Sequence, residues 1–156
     1  MVCEFELSKA TEINASPSVV RDALLNFSDL PNWSQFIKSI EVTNAPESNT
    51  DAKPDKGPLV GSGLKVEITG MTFYPVVVSN TPEKFSWHGK LLGDWFFGGT
   101  HFFKFEELPE GKCKLTHGES FKGVLFPLYN KLKGAELSNA FGLFNDAIKK
   151  KVEADQ

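Results

Sequence analysis

Cysteine and tyrosine are scarce in this chain, and long apolar runs are missing. The only cysteines are Cys3 and Cys113, too far apart for metal-ligand spacing and too few for a disulfide framework. A reducing, cytoplasmic setting is the expectation that follows. No apolar stretch approaches the roughly 20 residues that a membrane-spanning helix needs. The opening MVCEFELSKA lacks the basic and then apolar order of a secretory leader. Basic residues are not in excess either: 17 Lys and Arg stand against 20 Asp and Glu, for a net charge of −3. Nucleic acid is excluded as an expected partner, because its binding rests on cationic patches. The lysines at 149–151 read as the cationic end of a helix.

What the chain has in quantity is phenylalanine: 14, against two tyrosines and three tryptophans. At 156 residues it is most simply one domain, 1–156, with a substantial core. So much phenylalanine points to a wide apolar interior, and that interior is where a functional site is sought.

The organising stretch is Thr100–Phe121, THFFKFEELPEGKCKLTHGESF. Two alternating arms flank a turn at Leu108–Lys112, whose proline and glycine do not suit a central strand. Side chains alternate with a period of two, so His101, Phe103 and Phe105 share a face. Cys113, Leu115, His117, Glu119 and Phe121 do the same in the second arm. Folding about the turn sets Phe105 opposite Leu115, Phe103 opposite His117, and His101 opposite Glu119. The face is apolar, with two histidines and a carboxylate towards its open end.

Before the hairpin, residues 2–14 alternate as a half-buried strand. Ser16-Pro17 caps a short helix whose stripe is Val20, Ala23, Leu24 and Phe27. Asp29–Trp33 begins a second brief helix. Ile37–Thr43 is a strand, and the polar stretch 44–58 is a surface loop, with a lid over a pocket as its functional alternative. Strands follow at Leu64–Ile68, at Met71–Ser79 (with Pro75 marking a bulge or edge) and at Phe85–Leu91. Asn80–Glu83 is a turn. After Gly123 the period becomes helical: Leu137, Phe141, Phe144, Ile148 and Val152 form one stripe of a helix expected over 129–153. Gly134 and Gly142 weaken that helix by about 1 kcal/mol each; they mark close packing, a bend, or room for a ligand beneath. The order predicts an α+β domain: a curved seven-stranded antiparallel sheet around a long C-terminal helix, with two short helices after the first strand.

That order of elements resembles the helix-grip fold of the START-like superfamily, and in particular its small polyketide cyclase/dehydrase-like members. Asn32–Ile40 is similar to the W-x-x-F-I-x-x-I signature that follows the short helices. Gly99–Phe105 and Leu115–Gly123 resemble the sixth and seventh strands, and Phe141–Lys149 resembles the C-terminal helix. The likeness spans essentially the whole chain. It implies an internal cavity between sheet and helix, and a small hydrophobic ligand, aromatic or polyketide-like. No catalytic residue is common to the superfamily, so none is carried over; members bind or transform different ligands with different cavity residues.

The chemistry therefore rests on the residues themselves. Glu119 opposite His101 can orient the imidazole and favour its charged form, which makes His101 a candidate acid or base for enolisation, cyclisation or dehydration without a cofactor. His117 is the third candidate, polarising a carbonyl. The plainer reading is that His101 and Glu119 satisfy one another in a half-buried sheet. The three could also form a two-histidine, one-carboxylate metal site. Positions 117 and 119 lie about 6.5–7 Å apart along a strand, however, and no further ligand is evident, so no metal is expected. His88 falls on the face opposite Trp87, away from the cavity. The expected apolar lining is Trp87, Phe103, Phe105, Phe121, Phe141 and Phe144. Trp95, Phe96 and Phe97 sit in a turn, where they could form a pocket rim, a membrane-touching tip or a homodimer contact. A non-catalytic lipid or hydrophobic-ligand carrier, and a protein-interaction module, stand as alternatives to an enzyme. A cavity filled by side chains would favour the interaction module.

Overall fold

The structure is a computed structural model that describes residues 4–46 and 54–156. Val2 and Cys3 at the start of the first expected strand, and the middle of the 44–58 stretch, lie outside the described residues. The elements run β1 (Glu4–Ile13), α1 (Pro17–Leu25), α2 (Leu30–Trp33), β2 (Ile37–Asn44), β3 (Gly63–Ile68), β4 (Met71–Phe73), β5 (Val76–Thr81), β6 (Lys84–Leu91), β7 (Phe97–Leu108), β8 (Lys112–Lys122) and α3 (Phe126–Ala154).

All pairings are antiparallel, and the sheet runs β1-β8-β7-β6-β5-β3-β2, with β4 beside β3. This is the α+β helix-grip architecture read from the sequence. One detail differs. The single strand expected over 71–79 is divided at Tyr74-Pro75, because proline has no N–H for the ladder and fixes its own φ. The Pro75 carbonyl still accepts from Leu64 N–H at 2.9 Å. The path across the sheet therefore keeps seven strands, and β4 is a short extra edge.

α1 begins as its sequence dictates. The Ser16 hydroxyl accepts from Val19 N–H at 3.4 Å, with Pro17 in the first turn. Its inner face carries Val20 and Leu24, fully buried. The same face carries Arg21, which the apolar stripe gave no reason to place inside. Arg21 pairs with Asp55 at 3.0 Å and donates to Asn80 Oδ1 at 2.8 Å. Asn80 in turn donates to the carbonyls of Lys56 (2.8 Å) and Pro58 (2.9 Å). Residues 55–58 are thus clasped to α1 and β5 and do not run free over the surface. Asn80 itself belongs to β5 rather than to a turn; its side chain is drawn inward by that clasp.

α3 is 29 residues long, about 43 Å at ~1.5 Å per residue. It starts three residues earlier than its apolar stripe suggested, since Pro127 is tolerated in a first turn. Gly123, at φ 113, makes the sharp entry; a Cβ there would run into the Phe96 carbonyl. Phe141, Phe144, Ile148 and Val152 are buried against the sheet. Gly142 meets nothing closer than Lys9 Cγ at 3.8 Å from an added Cβ, so close packing does not require a glycine there.

Candidate functional site

The β7–β8 hairpin has the register that alternation and the turn imply: His101 faces Glu119, Phe103 faces His117, and Phe105 faces Leu115. Both histidines point beneath α3 and are buried, at 2% and 0% exposure, whereas the Glu119 side chain keeps 20%. The three are linked in a line. His101 Nδ1 lies 3.2 Å from Glu119 Oε1, and His101 Nε2 lies 2.6 Å from His117 Nε2.

Proton positions follow from the partners. A Glu119 carboxylate only accepts, so His101 Nδ1 carries hydrogen. Between the two Nε2 atoms one must donate. His117 Nδ1 is buried with no bonded partner, as is Asn145 Oδ1, and the Phe141 carbonyl and the Asn145 amide stand beside that imidazole. Each offers an acceptor, the Phe141 carbonyl oxygen and Asn145 Oδ1, while the Asn145 amide nitrogen donates to the Lys9 carbonyl at 3.0 Å. The arrangement that leaves fewest groups frustrated has hydrogen on His117 Nδ1 and a bare His117 Nε2 that accepts from His101 Nε2. Burial, and then the nearby charge of His101, hold His117 well below the ordinary histidine pKa. His117 is therefore the neutral member.

Aromatic rings frame this line. Trp87 stacks on His101, with centroids 4.8 Å apart and planes 12° apart. Phe103 stacks on His117 at 4.4 Å, and Phe141 sits 4.5 Å from His117 and 5.5 Å from His101. Phe144 closes the far side at 4.9 Å.

Of the expected lining, four residues (Trp87, Phe103, Phe141 and Phe144) surround the histidines. The other two do not. Phe121 joins a separate cluster with Phe97, Phe126 and Tyr129 near the start of α3. Phe105 lies in the main core and stacks with no other ring among the described residues. The space expected to be open is occupied: the rings around His117 meet one another directly, and each of these side chains is at most 4% exposed. The phenylalanines here pack a core and do not line a void.

Two contributors were not singled out as site residues. Phe36, within the W-x-x-F-I motif, lies 5.9 Å from His117 and 6.4 Å from His101. Asn145 is fully buried. Its signal was available, since a polar residue four places after Phe141 falls on the buried face of the helix. On the opposite face of the sheet, His88 bonds to Thr100 Oγ1 at 2.8 Å and Asp94 Oδ1 at 2.7 Å. Among the described residues no group of three His, Cys, Asp or Glu side chains has metal-holding geometry.

The comparisons agree with the architecture. The sequence model of the family described as "Polyketide cyclase / dehydrase and lipid transport" matches residues 4–154, and the chain belongs to that family. Among solved structures, a hypothetical protein of Helicobacter pylori is similar over 95% of this chain and 88% of its own, with 15% identity and a TM-score of 0.73. A START superfamily protein of Mycobacterium smegmatis is 20% identical, with a TM-score of 0.67, over 97% of this chain and 99% of its own. The ZhuI aromatase/cyclase of Streptomyces sp. R1128 is 10% identical, with a TM-score of 0.66, over 97% and 94%. No curated protein matches the sequence.

Proposed function

We propose that this protein binds a small hydrophobic molecule, aromatic or polyketide-like, between sheet and α3, and acts on it by acid–base catalysis without a cofactor. The observation that carries the reading is the line Glu119–His101–His117 inside an otherwise aromatic core. Burying ionisable groups costs several kcal/mol each unless they are paired, and apolar side chains would stabilise a core as well or better. Titratable groups held so at a sheet–helix interface are candidates for chemistry.

In the proposed reaction a ligand carbonyl oxygen displaces His117 Nε2 as acceptor of the His101 Nε2 proton. His101 gives its Nε2 proton to that oxygen and, left with a bare nitrogen, takes the α-proton there, so that the enol for cyclisation or dehydration forms with no net gain or loss of protons. Glu119 keeps the other side of the His101 ring in place and, being partly exposed, connects it to solvent. His117, once displaced, can turn its N–H towards the same oxygen. Entry of a ligand requires the rings of Phe141 and Phe144 to move with α3, because the closed interior leaves them in contact.

Native mass spectrometry of the purified protein, extraction of any bound molecule and incubation of that molecule with fresh protein test the reading together. His101→Ala is expected to abolish conversion while retaining the ligand; unchanged conversion removes His101 from the mechanism. A second reading, a protein-interaction module that performs no ligand chemistry, is favoured by the filled interior. It predicts that no extracted molecule is altered.

A further inference from the structure

One end of the molecule carries apolar side chains that the interior does not claim. Leu91, Leu92, Trp95, Val124, Leu128 and Leu132 are between 54% and 73% exposed. All six come from the last residue of β6, the turn between β6 and β7, and the entry and first turns of α3. Two backbone hydrogen bonds hold those segments together, Val124 N–H to the Trp95 carbonyl at 2.9 Å and Leu125 N–H to the Phe96 carbonyl at 3.0 Å. Such a cluster is unusual on a free surface, where large apolar side chains are mostly isolated.

The apex is also strained. Leu92 has φ 56, a left-handed conformation that costs a bulky residue energy, and Gly93 follows at φ 95. The chain thus holds a leucine in an unfavourable backbone state at the place where its side chain is 73% exposed. Packing offers no reason for it, since the side chain packs on little.

Lysines flank the patch. Lys90 and Lys131 are exposed and have no ion pair among the described residues. Lys133 pairs with Glu136, and Lys122 with Asp94 at 3.5 Å. Beside Trp95 is a shallow groove of about 530 Å³, lined by Glu4, Asp94, Trp95 and Lys122. Asp94 is occupied by His88 and Lys122. Apolar side chains at the centre, a tryptophan at the edge and lysines around them are what a bilayer interface with anionic headgroups selects. A second copy of this chain fits less well, because a two-fold contact would bring the patch against itself and set lysines near lysines.

We infer that this tip is a membrane-docking surface, in which Leu91, Leu92 and Trp95 enter the headgroup–acyl boundary of an anionic lipid bilayer and the flanking lysines meet its headgroups. The proposed attachment is peripheral; among the described residues no helix is long and apolar enough to cross a membrane. The inference concerns the outer surface of the tip and stands whatever molecule the interior accepts.

Co-sedimentation with large unilamellar vesicles tests it. Binding is expected with phosphatidylcholine containing about a third phosphatidylserine, to be much weaker with phosphatidylcholine alone, and to fall as salt rises. Lys90→Ala and Lys131→Ala should each weaken partition about fivefold. Leu92→Ser combined with Trp95→Ser should reduce it tenfold or more, with the circular dichroism and melting temperature of the wild type showing that the fold is kept. Quenching by bromine-labelled acyl chains should reach the wild-type emission and be lost in Trp95→Phe. No sedimentation with either vesicle, or sedimentation unchanged by the Leu92/Trp95 double variant, overturns the proposal. So does an ultracentrifugation result in which the wild type dimerises and the double variant is monomeric without any vesicle binding.

Discussion

Acidification should loosen this protein through one side chain. His117 is fully buried, and burial together with neighbouring His101 favours its neutral form, so its folded pKa lies well below 6.5. The sign follows directly. In the unfolded chain His117 takes up its proton near pH 6.5, whereas the folded chain resists it. Below that pH the unfolded state holds more protons, and stability falls as pH falls. One group contributes at most about 1.4 kcal/mol per pH unit, so the loss approaches about 2 kcal/mol between pH 7 and pH 5. The carboxylates held below their ordinary values, Asp29, Asp55, Asp94 and Glu153, lose stability in the same direction but in the more acidic carboxylate range. The window from pH 5 to 6.5 is left to histidine. Denaturant melts of the wild type and His117→Gln across this window give the comparison. Glutamine can still accept from His101 Nε2 but does not titrate. The wild-type curve should fall steeply and the variant's should be flatter by up to the full slope of one proton. Equal slopes, or a His117 resonance that titrates near pH 6.5 in the folded protein, would refute the assignment of His117 as the buried neutral member.

Two further outcomes bear on the interior. Phe141→Ala removes a fully buried ring that touches both histidines and Phe36, at a cost of about 3–5 kcal/mol. The hole it leaves should take up indole, raising the variant's melting temperature and not the wild type's. Glycine substitutions should split in sign. Gly142→Ala, with open space for its methyl group, should stabilise α3 by up to about 1 kcal/mol in chemical denaturation. Gly118→Ala would place a Cβ 2.5 Å from the Leu7 carbonyl and 2.7 Å from Phe102 Cζ, costing about 1–3 kcal/mol as β1 gives way.

The hairpin that holds the candidate site could be read residue by residue because alternation and a Pro-Gly turn leave few registers open. His101 opposite Glu119 follows from counting, and the helical stripe from Phe141 to Val152 follows from its period. The Arg21–Asn80 clasp could not be read that way. Arg21 and Asn80 are 59 residues apart, each sits in a locally unremarkable context, and only the closure of the sheet brings them together. The direct contact of the two Nε2 atoms was beyond counting too. Period two puts Phe103 and not His101 across from His117, and the rings meet on the diagonal through side-chain rotation.

The filled interior has a related cause. Periodicity assigns a residue to a face, but it carries no measure of the distance between that face and the helix above it. The same phenylalanine-rich surface can line a void or interdigitate with Phe141 and Phe144, and contact is favoured because an empty apolar hole forfeits dispersion on every wall. Under the proposed function a ligand would have to compete with these rings for the histidines, which argues for a flat aromatic one. Such a molecule can replace ring stacking on Trp87 and Phe103 with stacking of its own and recover most of what is lost when Phe141 withdraws. It needs in addition one oxygen to occupy the place of His117 Nε2, since otherwise the His101 N–H is left buried without an acceptor. A saturated chain of equal volume offers neither, and should bind less tightly than a planar phenol or aryl ketone when the two are compared by titration calorimetry.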